Sequence, residues 1–252
     1  MTDLYGDEDL VALYETDNPA GRDHEYYRSL ADRLGAGKII DLGCGTGLLT
    51  RTLTGPGREV IGVDPSPTML GYARRQPGAD AVRWIDGDAH VLDPSAPADL
   101  VLCTGNAFMH LATKELVATL DHLRRNLTPG GVLAFETRNP AYREWKNWTP
   151  EKTTSHRWAA FGTFTEWLEV TSVSRGVVVF DSHNLFADGS DRIFTSTLYF
   201  RTETELIEAL DAAGFENVEL KGTWEGDPVA AEHRLLIVLA ATGASAAPVN
   251  RC

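Results

Sequence analysis

The sequence predicts an α/β fold: a doubly wound, mostly parallel seven-stranded sheet with helices on both faces, and an antiparallel β insertion, or lid, after strand five. Three observations predict it. Short apolar runs alternate with helix-length segments through residues 38–137, as in βαβ units whose strands are covered on both faces. A glycine-rich turn follows the first apolar run, and the composition changes after Asn139-Pro140.

The elements of the core follow in a regular order along residues 1–140, which also hold a predicted N-terminal helical cap. A helix is predicted over 23–34 and the first strand over 38–42. Further strands are predicted at 58–63, 81–85, 98–103 and 131–136, and helices at 47–54, 66–75 and 113–127. Thr113 and the Thr128-Pro129-Gly130-Gly131 segment supply the start and stop signals of the last of these helices.

Residues 141–200 are predicted to form the antiparallel, aromatic-rich lid, because four of the six tryptophans fall there. Its β-rich runs lie at 163–174, 176–186 and 192–200, and Asp188-Gly189 is a hairpin turn signal between the last two. Residues 201–240 return to the core sheet, with a helix over 203–213 and strands over 216–221 and 233–240. The small and polar residues 241–252 predict a flexible tail.

The charge balance limits the classes of molecule that the protein can bind. Of the 252 residues, 36 are acidic and 23 basic, which gives a formal net charge of -13. Such a surface disfavours the broad phosphate contacts that nucleic acids require, so no nucleic-acid partner is expected.

Cysteine usage and hydropathy indicate the compartment. Three cysteines without paired spacing favour a reducing environment, and no Cys/His cluster predicts a metal site. The N-terminus lacks the apolar centre of a signal peptide, and no apolar run approaches the length that spans a membrane. We therefore expect a cytoplasmic protein without a membrane partner.

The glycine turn is the clearest functional signal. Asp41 closes the first strand, and Gly43, Gly45 and Gly47 follow at alternate positions before a helix. Glycine tolerates positive φ and lets a ligand approach the backbone, while the helix N-terminus favours an anionic group. Cys44 is interpreted as a small residue that fits this tight loop. The turn therefore predicts a nucleotide-type site.

Two carboxylates at later strand ends narrow the type of nucleotide. Asp64 closes the second strand, where a carboxylate can accept both ribose hydroxyls, and Asp88 with the Ala89 amide is placed to bind an adenine edge. Alternatively, each aspartate caps the helix that follows it. Asp86, two residues before Asp88, is a second candidate for the role of Asp88. The G-x-G-x-G spacing departs from the dinucleotide fingerprint, which disfavours a nicotinamide-dependent oxidoreductase.

In this order, the motifs resemble those of the class I (Rossmann-like) S-adenosylmethionine-dependent methyltransferases of the small-molecule type. The matching segments are Asp41–Gly47, Asp64, Asp88-Ala89, Ala98–Cys103 and Pro129–Gly131. The resemblance implies that the cofactor is S-adenosyl-L-methionine and that residues 1–140 are the cofactor-binding core.

The resemblance also implies roles for individual residues. Its glycine loop, with Cys44, would lie against the amino-acid end of the cofactor, Asp64 would hold the ribose, and Met69 would pack near the adenine. The Thr104 backbone would meet the ammonium group, with Asn106 nearby. Tyr14 and Arg22 would cover the cofactor from the N-terminal segment, Arg22 as a partner of its carboxylate. The alternatives are a packing role for Tyr14 and a solvated charge for Arg22.

The resemblance implies in-line methyl transfer to nitrogen or oxygen of a small-molecule acceptor, with S-adenosylhomocysteine as product. His110, in the loop after the fourth strand, is the candidate catalytic base because histidine titrates near neutral pH. It could equally cap or pack a helix, and His156 and His183 are weaker candidates.

The lid is predicted to carry acceptor specificity. Trp145, Trp148, Trp158, Phe161 and Phe164 are candidates to line an apolar or aromatic pocket. Alternatively, these rings form the lid's own core or a homodimer contact. Two further alternatives for the function remain: methylation of a protein or RNA group, and a cofactor-binding protein of this fold without turnover.

Overall fold

A computed structural model describes residues 4–243. Its helices are α1 (Glu8–Asp17), α2 (Arg22–Arg33), α3 (Leu48–Thr52), α4 (Pro67–Ala73), α5 (Thr113–Arg125), α6 (Pro150–Thr153) and α7 (Glu203–Ala212). The core strands are β1 (Lys38–Leu42), β2 (Glu59–Asp64), β3 (Arg83–Asp86), β4 (Ala98–Cys103), β5 (Leu127–Arg138), β10 (Glu216–Lys221) and β11 (Leu235–Ala241). The lid strands are β6 (Ser155–Ala159), β7 (Gly162–Ser174), β8 (Val177–Phe186) and β9 (Asp191–Tyr199).

The core sheet has seven strands in the order β10-β11-β5-β4-β1-β2-β3. Strands β1 to β5 are mutually parallel, and β11 runs antiparallel to both β5 and β10. Ile40 at the centre of β1 pairs with Ile61 on one side and Val101 on the other. The strand order reverses between β1 and β4, and at such a switch point the loops diverge and leave a crevice. The predicted fold class is confirmed.

Two apolar layers cover the sheet. On one face, α2 and α3 pack Tyr27, Leu30 and Leu49 against the β-strand residues. On the other, α5 and α7 contribute Leu120 and Leu206 to a separate cluster with β4, β5 and β11. Helices on both faces leave the carboxyl ends of the parallel strands as the accessible edge of the sheet.

The N-terminal cap consists of a short turn and α1. Asp7 caps α1 by accepting hydrogen bonds from the Asp9 and Leu10 amides at 3.1 and 3.2 Å. Arg192 of the lid contacts Asp7 and Asp9, both at 2.9 Å. The cap is therefore attached to the lid as well as to the core.

The lid is a four-stranded antiparallel sheet in the order β6-β7-β8-β9. Asp188 shapes the turn between β8 and β9 by accepting the Ser190 amide at 2.8 Å. The sequence predicts three of these strands and misses β6, whose residues Ser-His-Arg-Trp-Ala are short and mostly polar. Only pairing with β7 reveals it as a strand.

The end of the core sheet also differs from the prediction. Thr128–Gly131, predicted as a stop signal, forms the start of β5, and its Gly131 carbonyl accepts the Thr242 amide at 2.9 Å. Thr242 is 5% exposed, so the flexible tail predicted from residue 241 is wrong for residues 241–243. Residues 244–252 of that tail lie outside the described residues. In the part of the chain that is described, no helix is long and apolar enough to cross a membrane.

Candidate active site

A cavity of about 1270 Å³ lies at the carboxyl ends of β1, β2, β4 and β5. The glycine loop and the turn after β4 form its floor, and the N-terminal cap, α2 and β9 of the lid form its walls. Eleven of the predicted site residues line it: Tyr14, Gly43, Cys44, Gly45, Asp64, Met69, Asp88, Ala89, Thr104, Asn106 and His110. Gly47 adjoins the lining without belonging to it. Arg22 does not line the cavity.

The glycine loop turns sharply into the cavity. Gly43 and Gly45 have φ of 71° and 55°, and the Gly43 and Cys44 amides donate to the Val63 carbonyl. A Cβ on Gly43 would lie 3.0 Å from the Ala107 side chain. The positive φ angles and the short distance to Ala107 therefore both favour glycine at the base of this cavity, where a ligand can approach the backbone.

Gly47 adjoins the cavity lining and has a structural role in the loop. Its φ is 73° and it precedes α3, but a Cβ there would lie 2.3 Å from the Trp84 ring. The close approach of Trp84, packed behind the loop, demands the glycine. Its amide donates to the Cys44 carbonyl instead of facing the cavity.

Asp64 connects the glycine loop to the end of β2. Its carboxylate accepts the Gly45 amide at 2.7 Å and the Ser66 amide at 2.8 Å, and the side chain is 7% exposed in a cavity-lining position. A carboxylate is an acceptor-only group, of the kind that binds the hydroxyl groups of a ligand.

Asp41 is a buried carboxyl group that the sequence analysis places only within the glycine motif. One oxygen accepts the Thr50 hydroxyl at 2.6 Å, and the other, buried, has no partner among the described residues. Burial raises the pKa of Asp41 to about 7, against the lowering effect of the Thr50 hydrogen bond, and the Asp64 charge raises it further.

Asp41→Asn is expected to stabilise the ligand-free protein at pH 8 but not at pH 4. Folding raises the pKa of the Asp41 carboxyl from 3.8 to about 7. This shift adds about 4 kcal/mol at most to the free energy of unfolding; the gain is complete below the unfolded-state pKa and is lost as the pH rises towards 7. Melting temperatures across this range test it. A wild-type-to-variant difference that does not change with pH would contradict the assignment.

The predicted adenine end is formed by Met69, Asp88 and Ala89. Met69 is 2% exposed on α4, whose first turn Ser66 caps at 3.2 Å from the Met69 amide. Asp88 caps a short turn by accepting the His90 amide at 2.9 Å, which is the capping role given as its alternative. Its side chain still lines the cavity beside buried Ala89.

The turn after β4 is held from behind by a buried carboxyl group. Asn106 adopts a left-handed conformation with φ of 61°, and its amide donates to Glu136 at 3.0 Å. The Tyr27 hydroxyl donates to the other oxygen of Glu136. Burial raises the pKa values of both Glu136 and Tyr27. Glu136 therefore fixes the cavity floor and pairs with Tyr27, whereas Arg138 pairs with Glu144.

Arg22, a predicted cofactor residue, lies outside the lining of the main cavity. Its side chain is 74% exposed and pairs with Glu225 in a separate groove of the molecule. His24, two residues further along α2, lines the main cavity, and its Nδ1 is buried without a partner among residues 4–243. Burial lowers the pKa of His24, with Asp23 acting in the opposite direction. The rotation of α2 about its own axis decides whether Arg22 or His24 faces the cavity, and the packing of the helix on the sheet sets that rotation.

Tyr14 lies between the cap and the glycine loop, and its side chain lines the cavity. A Cβ built on Gly45 would stand 3.9 Å from its ring. Burial raises the pKa of Tyr14, and the nearby charges of Asp64 and Glu136 add to the effect.

His110 lies at the cavity mouth, where its Nε2 is 3.4 Å from the Tyr5 hydroxyl. The turn that carries it is anchored to the lid. Met109 is fully buried in the apolar core of the lid, and the buried Arg201 guanidinium donates to the Phe108 and Leu111 carbonyls. The sequence analysis missed Arg201, because an arginine after a strand carries no signal of this contact.

The aromatic rings of the lid do not line the cavity, which corrects their predicted role. Trp145 and Trp148 pack on Phe200 inside the lid, and Phe161 stacks with Phe164 and Phe186. Trp158 is 79% exposed. His156 and His183 also lie outside the cavity lining; they contact Thr165 and Asp191.

Comparison with known proteins identifies the fold family. Residues 39–131, which span β1 to the start of β5, match a family model described as a methyltransferase domain. Over these residues the chain contains a methyltransferase domain. Its fold matches the CcbJ methyltransferase from Streptomyces caelestis, with a TM-score of 0.75 and 22% identity over 97% of this chain and 100% of that one.

Two further relatives are similar to this methyltransferase domain. An amino pentose methyltransferase from Micromonospora echinaspora is 26% identical, with a TM-score of 0.66 over 91% of this chain and 97% of its own. Glycine N-methyltransferase of Rattus norvegicus is 31% identical over 165 residues, or 56% of each chain. The matched region spans about half of that curated relative.

Proposed function

We propose that the chain transfers the methyl group of S-adenosylmethionine to a nitrogen or oxygen atom of a small molecule, with S-adenosylhomocysteine as product. One observation carries the proposal: a single cavity joins the glycine loop and Asp64 at one end to His110 and the lid at the other. A cofactor and an acceptor can therefore meet inside one enclosed space.

The residues of the cavity fit S-adenosylmethionine. The loop at Gly43 and Gly45 leaves backbone exposed to a ligand, and the Asp64 carboxylate, which lines the cavity, is a group of the kind that accepts ribose hydroxyls. Asp41 and His24 each present a buried polar atom that has no partner among the described residues, at the end of the cavity proposed for the amino-acid group. Unpartnered buried polar atoms are costly, and a bound ligand that supplies partners relieves that cost.

The cofactor supplies a sulfonium-activated methyl group. The acceptor atom forms a bond to the methyl carbon as the carbon–sulfur bond breaks, and the bonding electron pair stays on sulfur. The acceptor's proton passes to His110 Nε2, which is reachable from the cavity mouth, and then to solvent. The cap, with Tyr14 and Tyr5, and the lid exclude water and align the two reactants.

The relatives support a small-molecule acceptor. An amino pentose methyltransferase and a glycine N-methyltransferase are among them, as is a ubiquinone biosynthesis O-methyltransferase from Bradyrhizobium sp., 28% identical over 62% of this chain. These names include nitrogen and oxygen acceptors. The net charge of -13 and the wall formed by the lid disfavour the protein or RNA alternative.

Transfer of tritiated methyl from S-adenosylmethionine tests the function. We expect label in a small-molecule product, with an equal amount of S-adenosylhomocysteine. Label that enters only protein or RNA would contradict the small-molecule assignment, and tight cofactor binding without transfer to any acceptor would favour a protein without turnover.

We expect His24→Ala to raise the Kd for S-adenosylmethionine by about tenfold, and Arg22→Ala to leave it within about twofold. His24 lines the cavity with an unpartnered nitrogen, whereas Arg22 pairs with Glu225 elsewhere. Calorimetric titration of the two variants makes the comparison. The reverse order of effects would restore Arg22 as the partner of the cofactor carboxylate.

A further inference from the structure

Four lid residues form a row across the four strands of the lid sheet. Arg157 of β6 pairs in register with Phe164 of β7 and lies over its ring, 5.9 Å from the ring centroid. Phe164 in turn pairs with Phe186 of β8, and the two rings are stacked. Arg192 of β9 lies over the Phe186 ring, 4.2 Å from its centroid. The two phenylalanines therefore support an arginine at each edge of the lid.

The two arginines bind opposite ends of α1, the helix of the N-terminal cap. At its start, Arg192 Nη1 donates to the carboxylates of Asp7 and Asp9, both at 2.9 Å. At its end, Arg157 Nη2 donates to Asp17, the last residue of the helix. A helix of ten residues is about 15 Å long, and a sheet of four strands is about 14 Å wide. The helix therefore spans the lid and is attached to both of its edge strands.

The other side of α1 covers the cofactor end of the cavity. Tyr14 lines the cavity, and its ring lies against Gly45 of the glycine loop. Glu15, the next residue, accepts a hydrogen bond from Arg51 of α3 at 3.1 Å. A ligand bound against the glycine loop therefore lies beneath α1, and the arginines of the lid hold α1 from above.

The contacts that hold α1 in place are weak enough to open repeatedly. Within α1, all of which the structure describes, only Val11 is fully buried. The side chains of Arg192 and Arg157 are 40% and 23% exposed. An ion pair at such a position changes an equilibrium by a factor of about 2 to 5, and salt screens it. A helix with one buried side chain and ion pairs at its ends can detach at a small cost in free energy.

We propose that α1 is the gate through which the cofactor enters and its product leaves, and that Arg157 and Arg192 are the latches that hold this gate closed. The inference rests on the proposed function and adds how that site exchanges its cofactor. Neither arginine lines the cavity, so the latches act through α1 and make no contact with the ligand. Because β9 carries one latch and also lines the cavity, the lid connects access of the acceptor to retention of the cofactor.

Stopped-flow binding of S-adenosylhomocysteine tests the gate, with the fluorescence of Trp84 behind the glycine loop as the signal. Arg192→Ala and Arg157→Ala are each expected to raise the association and dissociation rate constants alike, about 3- to 10-fold, because opening limits both. The Kd should stay within about twofold. As a control, Arg125→Ala removes an Arg–Asp pair of α5 outside the cavity lining and should change neither rate constant.

Salt tests the latches without any substitution. High salt should accelerate exchange in the wild type and have little effect when both latches are removed. A parallel rise of both rate constants in the latch variants, absent in Arg125→Ala, supports the gate. Unchanged or salt-independent exchange overturns it, as does a Kd that rises through the dissociation rate constant alone, which indicates a lost contact. Failure of the wild type to bind S-adenosylhomocysteine would instead overturn the proposed function.

Discussion

His110→Ala is expected to lower kcat by about 100- to 1000-fold, while the Kd for S-adenosylmethionine stays within about twofold. His110 lies at the cavity mouth beside the Tyr5 hydroxyl, and the candidate cofactor contacts lie deeper, at the glycine loop and Asp64. Loss of the imidazole therefore removes the proton acceptor without disturbing the cofactor end.

The contacts that hold the turn around His110 ensure that His110→Ala removes only the imidazole and does not move the backbone. Met109 is buried in the lid core and Arg201 holds the Phe108 and Leu111 carbonyls, so the turn keeps its position when only the histidine side chain is removed. Because the ring is exposed at the mouth, added imidazole should restore part of the activity. His156→Ala, in the lid outside the cavity, is the control and should retain full turnover. Normal turnover of His110→Ala would refute its role as base.

The second large effect is expected for Asp64→Ala, which should raise the Kd for S-adenosylmethionine about 30- to 100-fold. The carboxylate accepts the Gly45 and Ser66 amides and is proposed to accept the ribose hydroxyls, so its removal should loosen the loop and delete charge-assisted bonds to the ligand. Calorimetry gives the Kd, and the melting temperature separates lost contacts from unfolding.

A neighbouring aspartate supplies the matched control for Asp64. Asp86 ends β3 in direct register with Asp64 on β2, yet it is exposed and does not line the cavity. Asp86→Ala should leave the affinity unchanged. Equal affinities of wild type and Asp64→Ala would remove Asp64 from the site.

The sequence predicts the fold, and it supplies the residues proposed for the cofactor end, because their signals are local. Each βα unit carries its apolar strand, its glycine or aspartate at the strand end and its helix start within about 30 residues. Gly43 and Asp64 are found in this way, and the structure places both in the cavity.

The remaining features depend on contacts between distant segments. Gly47 is fixed by Trp84, 37 positions away, and the choice between Arg22 and His24 depends on how α2 packs on the sheet. The lid shows the same limit, since its aromatic rings pack on one another and Ser196 faces the cavity in their place. No single-sequence pattern distinguishes a ring that lines a pocket from one that fills a core.

The central claim is that this cavity binds S-adenosylmethionine and its product. Calorimetric titration with S-adenosylhomocysteine and, separately, with NAD⁺ tests it most directly. Saturable one-to-one binding of S-adenosylhomocysteine, weakened by Asp64→Ala and absent for NAD⁺, is the predicted result. Tight binding of NAD⁺ with no response to S-adenosylhomocysteine would contradict it.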